Sequence, residues 1–508
     1  METVWVLGDQ LHRAVGPLAA AGPDRTRILL VESVAKLRTN TWHRQRAHLV
    51  LTAMRRLAAE LRADGFEVDH LHSESLAAGL ADHRRHHRPT RVVAMAPASA
   101  DGRALLDRLG VDQLPNEQFL CPEDESARWI AERGRRRLVM EDFYRWQRRR
   151  LGYLMDADQP AGGRWNFDHD NRQPPPRNAP ADFWPEPPRQ PLDDLDAEVL
   201  DDLARLEADG TIRLTGSPPD GTWATSRAEA QRRLTHAVEV VLPRFGPHED
   251  AMLTTSWHLA HTLLSPYLNL GLLHPAEVCD AAEAAFRAGR VPVASAEGFI
   301  RQIIGWREYV WALYWHHGPD AYRRANALDA RRPLPPAFTA GPDTTQLRCL
   351  HHTLGDIDRH GWTHHIQRLM ILANLALLAG VDPQALTRWM WANFVDGAEW
   401  VMLPNVIGMG TYADGGRMAT KPYAAGGAYI DKMSDYCKGC RYDRRRRTGE
   451  DACPYTTLYW DFLSRHRERF ERNPRVAQQV RAAQRLTDLD EVRRHAVDVL
   501  DRLDRGRL

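Results

Sequence analysis

Cys437 and Cys440 form a C-x2-C pair inside SDYCKGCRYDRRRRTGEDACPY (434–455), and Cys453 follows after twelve further residues. Thiolate is the soft donor shared by zinc and iron–sulfur sites, and four of them close a tetrahedral or cubane centre. No histidine lies in the stretch, so a fourth ligand must come from elsewhere. Cys349, far upstream in QLRCLHHTLG, is available, whereas Cys121 and Cys279 have no ligand-like neighbours. Cysteine-only ligation with one distant partner leans toward a 4Fe–4S cluster. Zinc and metal-free thiols remain the alternatives.

Between the second and third cysteines run Arg444, Arg445, Arg446 and Arg447, with Lys438 and Arg441 just before them. A charge run of this kind is either a solvated face or, fixed between metal ligands, a surface for phosphate oxygens. The second concentration of chemistry is aromatic. IRQIIGWREYVWALYW and RWMWANFVDGAEWVMLPN place tryptophans among arginines and carboxylates. Large aromatics at helical spacing fill a core, or they line a flat ring system and pass electrons to it.

The elements that must position these groups fall into two regimes. In the first 120 residues, VWVLGDQ (4–10), RILLVES (27–33), FEVDHLH (66–72) and RVVAMAP (91–97) read as strands. The segment 43–65 has helical apolar spacing and stops at Gly65. This alternation predicts a parallel, doubly wound α/β sheet over residues 1–130, and LGDQL at the end of its first strand lies where such sheets take ligands. Residues 131–224 read as a connecting segment. Its Pro- and Gly-rich stretch (162–191) is either a plain linker or, through Arg164, Trp165, Phe167 and Arg172, an ordered loop that meets a partner. From 225 to 508 the apolar period is 3.6 residues, which predicts an all-helical domain.

The bulk properties narrow the class. A chain of 508 residues is too long for one core, and 43% hydrophobic with 27% charged residues is ordinary globular composition. A net charge of +1 leaves nucleic-acid contact to local patches. LMILANLALLAG (369–380) is too short to span a membrane and reads as a buried helix. METVWVLGDQ lacks a basic region followed by an apolar run, so the expected compartment is the reducing cytoplasm, where six cysteines are no disulfide framework.

LSPYLNLGLL (264–273), EGFIRQIIGWREYVW (297–311), HHIQRLM (364–370), DGAEWVMLPNVIGMG (396–410), ATKPY (419–423) and the cysteine stretch together resemble the photolyase/cryptochrome superfamily. The likeness is to its iron–sulfur bacterial branch, the prokaryotic (6-4) photolyases, and it runs from LGDQL to about residue 466. The resemblance implies a Rossmann-like α/β N-terminal domain and an all-α C-terminal domain that holds FAD. It implies a 4Fe–4S cluster on Cys349, Cys437, Cys440 and Cys453. It places Thr262, Leu264 and Ser265 at the flavin phosphates, and Gln302, Arg307, Arg368, Asp396, Met402 and Asn405 around the ring and ribose. His365, with His364 and Tyr423 beside it, matches the active-site histidine that donates a proton in repair. Trp389 matches an electron-relay position, and Arg444–Arg447 a DNA-facing loop.

The sequence departs from the family in four places. Met402 replaces the acidic residue of WVELPN, and Ala428 stands where Asn is usual. AFTAG (337–341) lacks one relay tryptophan, and Met390 follows Trp389 where an aromatic is common. Lys36 and Thr39 replace Glu and Tyr, which weighs against a lumazine-type antenna. The implied function is light-driven electron transfer from reduced FAD to a pyrimidine (6-4) lesion in DNA, by a monomer without a membrane partner. The alternatives are a blue-light photoreceptor without repair, or a diverged flavin and iron–sulfur enzyme acting on a small molecule.

Overall fold

The computed structural model describes residues 1–176, 180, 183–184 and 186–508. Five parallel strands form the N-terminal sheet: β1 (Glu2–Trp5), β2 (Thr26–Ser33), β3 (Glu67–Ser73), β4 (Val92–Met95) and β5 (Asp112–Leu114). Their order is β3-β2-β1-β4-β5, and seven residue pairs run from Arg27↔Glu67 to Ser33↔Ser73. The chain therefore winds outward from β1 in both directions, the doubly wound arrangement expected of alternating strands and helices. Alternation along β1 and β2 assigns the faces. Val4, Ile28 and Leu30 meet Leu49, Met54 and Leu57 of the helix Arg44–Ala63, while Trp5, Leu29 and Val31 meet Leu80 and Leu106 on the other side. Trading one of these buried leucines for alanine costs about 2–5 kcal/mol.

β1 is shorter and earlier than its apolar run suggests. Residues after Trp5 leave the sheet, and Gln10 reaches across the switch point to donate to Met95 O (2.9 Å) and Ala96 O (3.3 Å). β5 follows no apolar run at all; its register comes from pairing with β4.

The largest hydrophobic cluster does not respect a boundary at 130. It runs from Val4 and Ile28 through Phe143 and Tyr144 to Leu234, Ile304, Trp311 and Tyr314, and the helix Glu123–Arg133 spans the expected division. The connecting segment holds the helices Met140–Leu151 and Asp194–Ala208, the second packed on Ala47 and Leu51. The plain-linker reading of 162–191 fails at its start. Phe167 and Asn171 are buried, Phe167 N donates to Glu297 Oε2 at 2.9 Å, and Trp165 stacks under Arg149 at 4.5 Å. The part of that stretch at 177–179, 181–182 and 185 lies outside the described residues.

Residues 225–508 are helical as read, with the tail broken into Pro454–Arg465, Arg467–Phe470, Ala477–Gln484 and Leu489–Asp504. A second core gathers Met370, Ile371, Leu375, Tyr436, Tyr455, Leu458 and Phe462, with Cys349 and Cys453 inside it. Among the described residues no helix is long and apolar enough to cross a membrane.

Candidate functional site

Besides Ala237–Val241, three segments of the helical half adopt wider π-type turns: Arg301–Arg307, Gln367–Ala373 and Leu403–Gly410. An extra residue per turn re-aims side chains that a regular helix would stack, and such turns concentrate at functional sites. All three border one cavity of about 1010 Å³. They supply Arg301, Gln302, Arg307, Arg368 and Asn405 to its wall.

Arg368 forms the best-defined polar element. Its two Nη atoms donate to the two carboxylate oxygens of Asp396 at 3.0 Å each, and its Nε donates to Thr363 O at 2.7 Å. Ser265 Oγ donates to Asp396 Oδ2 at 2.7 Å, and Asn269 Nδ2 to Asp396 O at 2.8 Å. The guanidinium lies 4.0 Å over the Phe394 ring. Charge-assisted bidentate pairing of this kind fixes both partners in one plane. Arg307 lies half-buried between Phe119 (4.2 Å) and Trp400 (5.4 Å) and donates to Glu308 Oε1 at 2.7 Å. Gln302 and Asn405 tie their amide nitrogens to Gly298 O and Val401 O.

Thr262, Leu264 and Ser265 line the same cavity, on a turn where Leu259 and Leu263 both take left-handed backbone angles (φ 45° and 57°). Such a conformation costs about 1–3 kcal/mol and persists where it serves a site. Behind Thr262 a small side pocket is walled by Arg233, His236, His258 and His261. Arg233 Nη1, His236 Nε2 and the nearby Thr222 Oγ1 are buried there without a hydrogen-bond partner among the described residues, and His258 Nε2 faces Glu186 Oε1 at 3.5 Å. Orphaned polar atoms converging on one point suit an anionic or richly hydrogen-bonding group, which fits the phosphate and ribose end of a dinucleotide. Arg233 and His236 escaped sequence reasoning; their three-residue spacing, which puts two polar groups on one helix face, was the available signal.

The opposite wall holds His261, His364, His365 and Tyr423. His261 and His364 stack at 4.4 Å, His364 buried and His261 half-buried; desolvation and neighbouring histidines hold both imidazoles well below their ordinary pKa. His365 is half exposed, with Nε2 3.3 Å from Asp250 Oδ1. Next to it Glu249 is 4% exposed. Burial pushes Glu249 up to about 7, against the opposing pull of Arg301 and His365. Arg301 itself sits among Asp168 (3.1 Å), Glu297 (3.2 Å) and Glu249 (3.9 Å). Glu249, Asp250 and Arg301 also escaped sequence reasoning, because their partners come from three distant segments.

Met402 and Trp389 do not border the cavity. Met402 is buried in the second core instead of facing the ring position expected of it. Trp389 donates to Phe338 O at 2.7 Å and packs on Phe338 and Phe394, one ring removed from Arg368. Lys36 and Thr39 lie just beyond β2, where Lys36 O accepts from Trp42 Nε1 at 3.1 Å.

Cys349, Cys437, Cys440 and Cys453 come together at the second core. Burial, reinforced by the neighbouring thiols, pushes Cys349 well above its ordinary value and Cys437 up to about 12. No three of these sulfur atoms fall within 4.8 Å of one another. The arginine run beside them is not a free cationic surface. Arg444 pairs with Asp431 (2.6 Å), Arg446 with Asp451 (2.5 Å) and Arg447 with Asp488 (2.8 Å), so three of the four are neutralised within the protein. Lys421, Lys432 and Arg475 line the cavity instead, as does Arg172, which is paired with Asp168.

A doubly wound parallel domain joined to a helical domain around such a cavity is the photolyase/cryptochrome architecture. Residues 4–213 match the family model described as deoxyribodipyrimidine photo-lyase-related protein. The (6-4) photolyase of Agrobacterium fabrum is 40% identical over 517 residues, covering 99% of this chain and 100% of its own. The crystal structure of a bacterial class III photolyase from Agrobacterium tumefaciens matches with a TM-score of 0.56 at 17% identity, covering 99% of this chain and 98% of its own. Synechocystis sp. PCC6803 cryptochrome matches with a TM-score of 0.53 at 12% identity, over 81% and 82% of the two chains. The chain belongs to the photolyase family.

Proposed function

We propose that this protein repairs pyrimidine (6-4) lesions in DNA by light-driven electron transfer. The observation that carries the reading is one cavity of about 1010 Å³ with two chemically different walls. Arg368, Asp396, Ser265, Gln302, Arg307 and Asn405 form the wall that holds FAD, with Thr262 and the orphaned atoms of Arg233 and His236 at its phosphate end. Reduced FAD, when bound there, supplies the electron on illumination. His364, His365 and Tyr423 form the wall that receives a flipped-out lesion. A lesion must leave the base stack because its reacting atoms are unreachable within it.

His365 has the geometry of a proton donor: solvent-accessible, with its Nε2 3.3 Å from Asp250 Oδ1. His261 and His364 beside it are held neutral by burial and so pack and orient without carrying charge. The four cysteines carry a 4Fe–4S cluster in this reading.

Illumination of the reduced protein with an oligonucleotide bearing a (6-4) lesion tests the proposal. Wild-type protein restores the two pyrimidines, and H365A retains bound flavin but loses repair. Flavin-loaded wild-type protein that leaves the lesion intact removes the proposal in favour of photoreception.

A further inference from the structure

Three groups of histidines and carboxylates gather their ligand atoms within 4.8 Å: His261, His364 and His365; Glu32, His70 and His72; and Asp69, His83 and His87. The first lies in the cavity already described, and the His261 and His364 rings stack nearly parallel (16°), so their lone pairs run side by side and do not converge. In the second, Glu32 has both oxygens engaged by Arg55 at 2.9 Å and one by His70 at 2.9 Å. That carboxylate is fully occupied by a buried ion pair, which holds it down at about 2 although burial alone would raise it.

The third group is built differently, and we propose that Asp69, His83 and His87 form a binding site for a divalent metal of the zinc class. His83 and His87 are four residues apart on the helix Leu76–His87, so both point from one helix face, the spacing that lets two imidazoles share one ion. Asp69 comes from β3, the edge strand of the sheet, on the face that the helix covers. Asp69 Oδ2 is 2.6 Å from His83 Nδ1 and 3.3 Å from His87 Nε2. Tetrahedral zinc with bonds of about 2.0–2.1 Å to nitrogen and oxygen sets its donors roughly 3.3 Å apart. One separation already matches. The other needs a small outward rotation of Asp69, whose side chain is partly exposed. The two rings are tilted by 45° at 5.0 Å, so their nitrogens can converge.

Two further features support the site. Thr3 Oγ1, buried on β1, lies 2.9 Å from His83 Nε2. Without metal, His83 Nδ1–H donates to Asp69; with an ion on Nδ1 the proton moves to Nε2, where the Thr3 hydroxyl is placed to accept it, as the outer partner of a metal-bound histidine does. His83 is wholly buried whereas His87 is 30% exposed, so the site is closed on the protein side and open to a water on the other. Arg27 is paired with Glu67. Bound metal would clasp the last turn of the helix to the sheet edge.

Calorimetric titration of the full-length protein with Zn²⁺ tests this, with H87Q, D69N, T3V, H72Q and H365Q compared under the same conditions. Differences between wild type and H87Q report this site alone, since the cysteines and the other histidine groups are common to both. One zinc equivalent disappears in H87Q and D69N, T3V binds it about 10–100-fold more weakly, and H72Q and H365Q leave it unchanged. Zinc also raises the melting temperature of wild type and not of H87Q. Identical isotherms for wild type and H87Q overturn the proposal, as does a loss confined to H72Q or H365Q.

Discussion

Arg368 and Asp396 meet through two parallel hydrogen bonds of 3.0 Å, and Asp396 accepts a third from Ser265 Oγ at 2.7 Å. The pair joins the π-type turn at 367–373 to the turn that opens the DGAEW segment, so it fixes the shape of the cofactor wall before any ligand arrives. R368A leaves the Asp396 carboxylate buried without its cation. Breaking such a pair costs about 3–5 kcal/mol, and the lower end applies because Arg368 remains 21% exposed. The expected outcome is a destabilisation of about 3 kcal/mol in denaturant unfolding, with bound flavin lost on purification. R368M/D396N recovers part of the stability and none of the flavin.

Glu249 sets a pH dependence. Its folded pKa of about 7 lies above the ordinary value of 4.5 because burial disfavours the charged form. The folded protein therefore holds a proton that the unfolded chain releases between those two values. Stability contributed by that proton is present below about pH 4.5 and is lost as pH rises through 7, a change of about 3 kcal/mol at most. E249Q, which carries a permanent amide, removes this dependence. Unfolding free energies measured at pH 5 and pH 8 should fall further for wild type than for E249Q; equal falls would place the group's titration elsewhere.

What the sequence discloses follows how local the cause is. The C-x2-C pair and Cys453 are visible as spacing, and the helix at 43–65 as periodicity, because each is written within one turn or one loop. Cys349 is assignable only through the family likeness, since nothing in QLRCLHHTLG states which core it enters. The arginine run shows the limit plainly. Read alone it is free charge, yet Asp431 and Asp488, which neutralise Arg444 and Arg447, lie in other elements. Glu249, Arg301 and Asp168 likewise acquire meaning only when three segments fold together. β5 is illegible for a related reason: Asp112, Gln113 and Leu114 form a strand because β4 offers them an edge, not because of their own propensity.

The cysteine quartet gives a prediction about metal identity. Cys349 is 8% exposed, and its helix Arg348–His360 carries it into the second core beside Tyr455. In the proposed cluster, C349S removes one of four ligands and leaves a site that can no longer close. Iron and acid-labile sulfide, measured on anaerobically purified protein, should be present in wild type and fall sharply in C349S. The melting temperature should fall with them, because metal-binding free energy is folding free energy in such a site. Stoichiometric zinc with no iron in the wild-type protein would refute the cluster assignment.

The DNA surface can be located by salt dependence. Arg444, Arg446 and Arg447 each have a carboxylate partner, so a phosphate approaching them must displace Asp431, Asp451 or Asp488. Lys421, Lys432 and Arg475 border the cavity and have no such competitor among the described residues. A cation that neutralises a phosphate releases condensed counterions, so the slope of log affinity against log salt shrinks by about 0.9 for each such cation removed on duplex DNA. K421A/K432A/R475A is expected to flatten the slope by two to three such steps, roughly 1.8–2.7 in all. R444A/R446A/R447A should change it by less than one step, about 0.9, while lowering stability by removing the loop's ion pairs. Affinities for a lesion-bearing duplex, measured across a salt series, separate the two surfaces. A wild-type slope in K421A/K432A/R475A together with a flattened one in R444A/R446A/R447A would return the DNA surface to the cysteine loop.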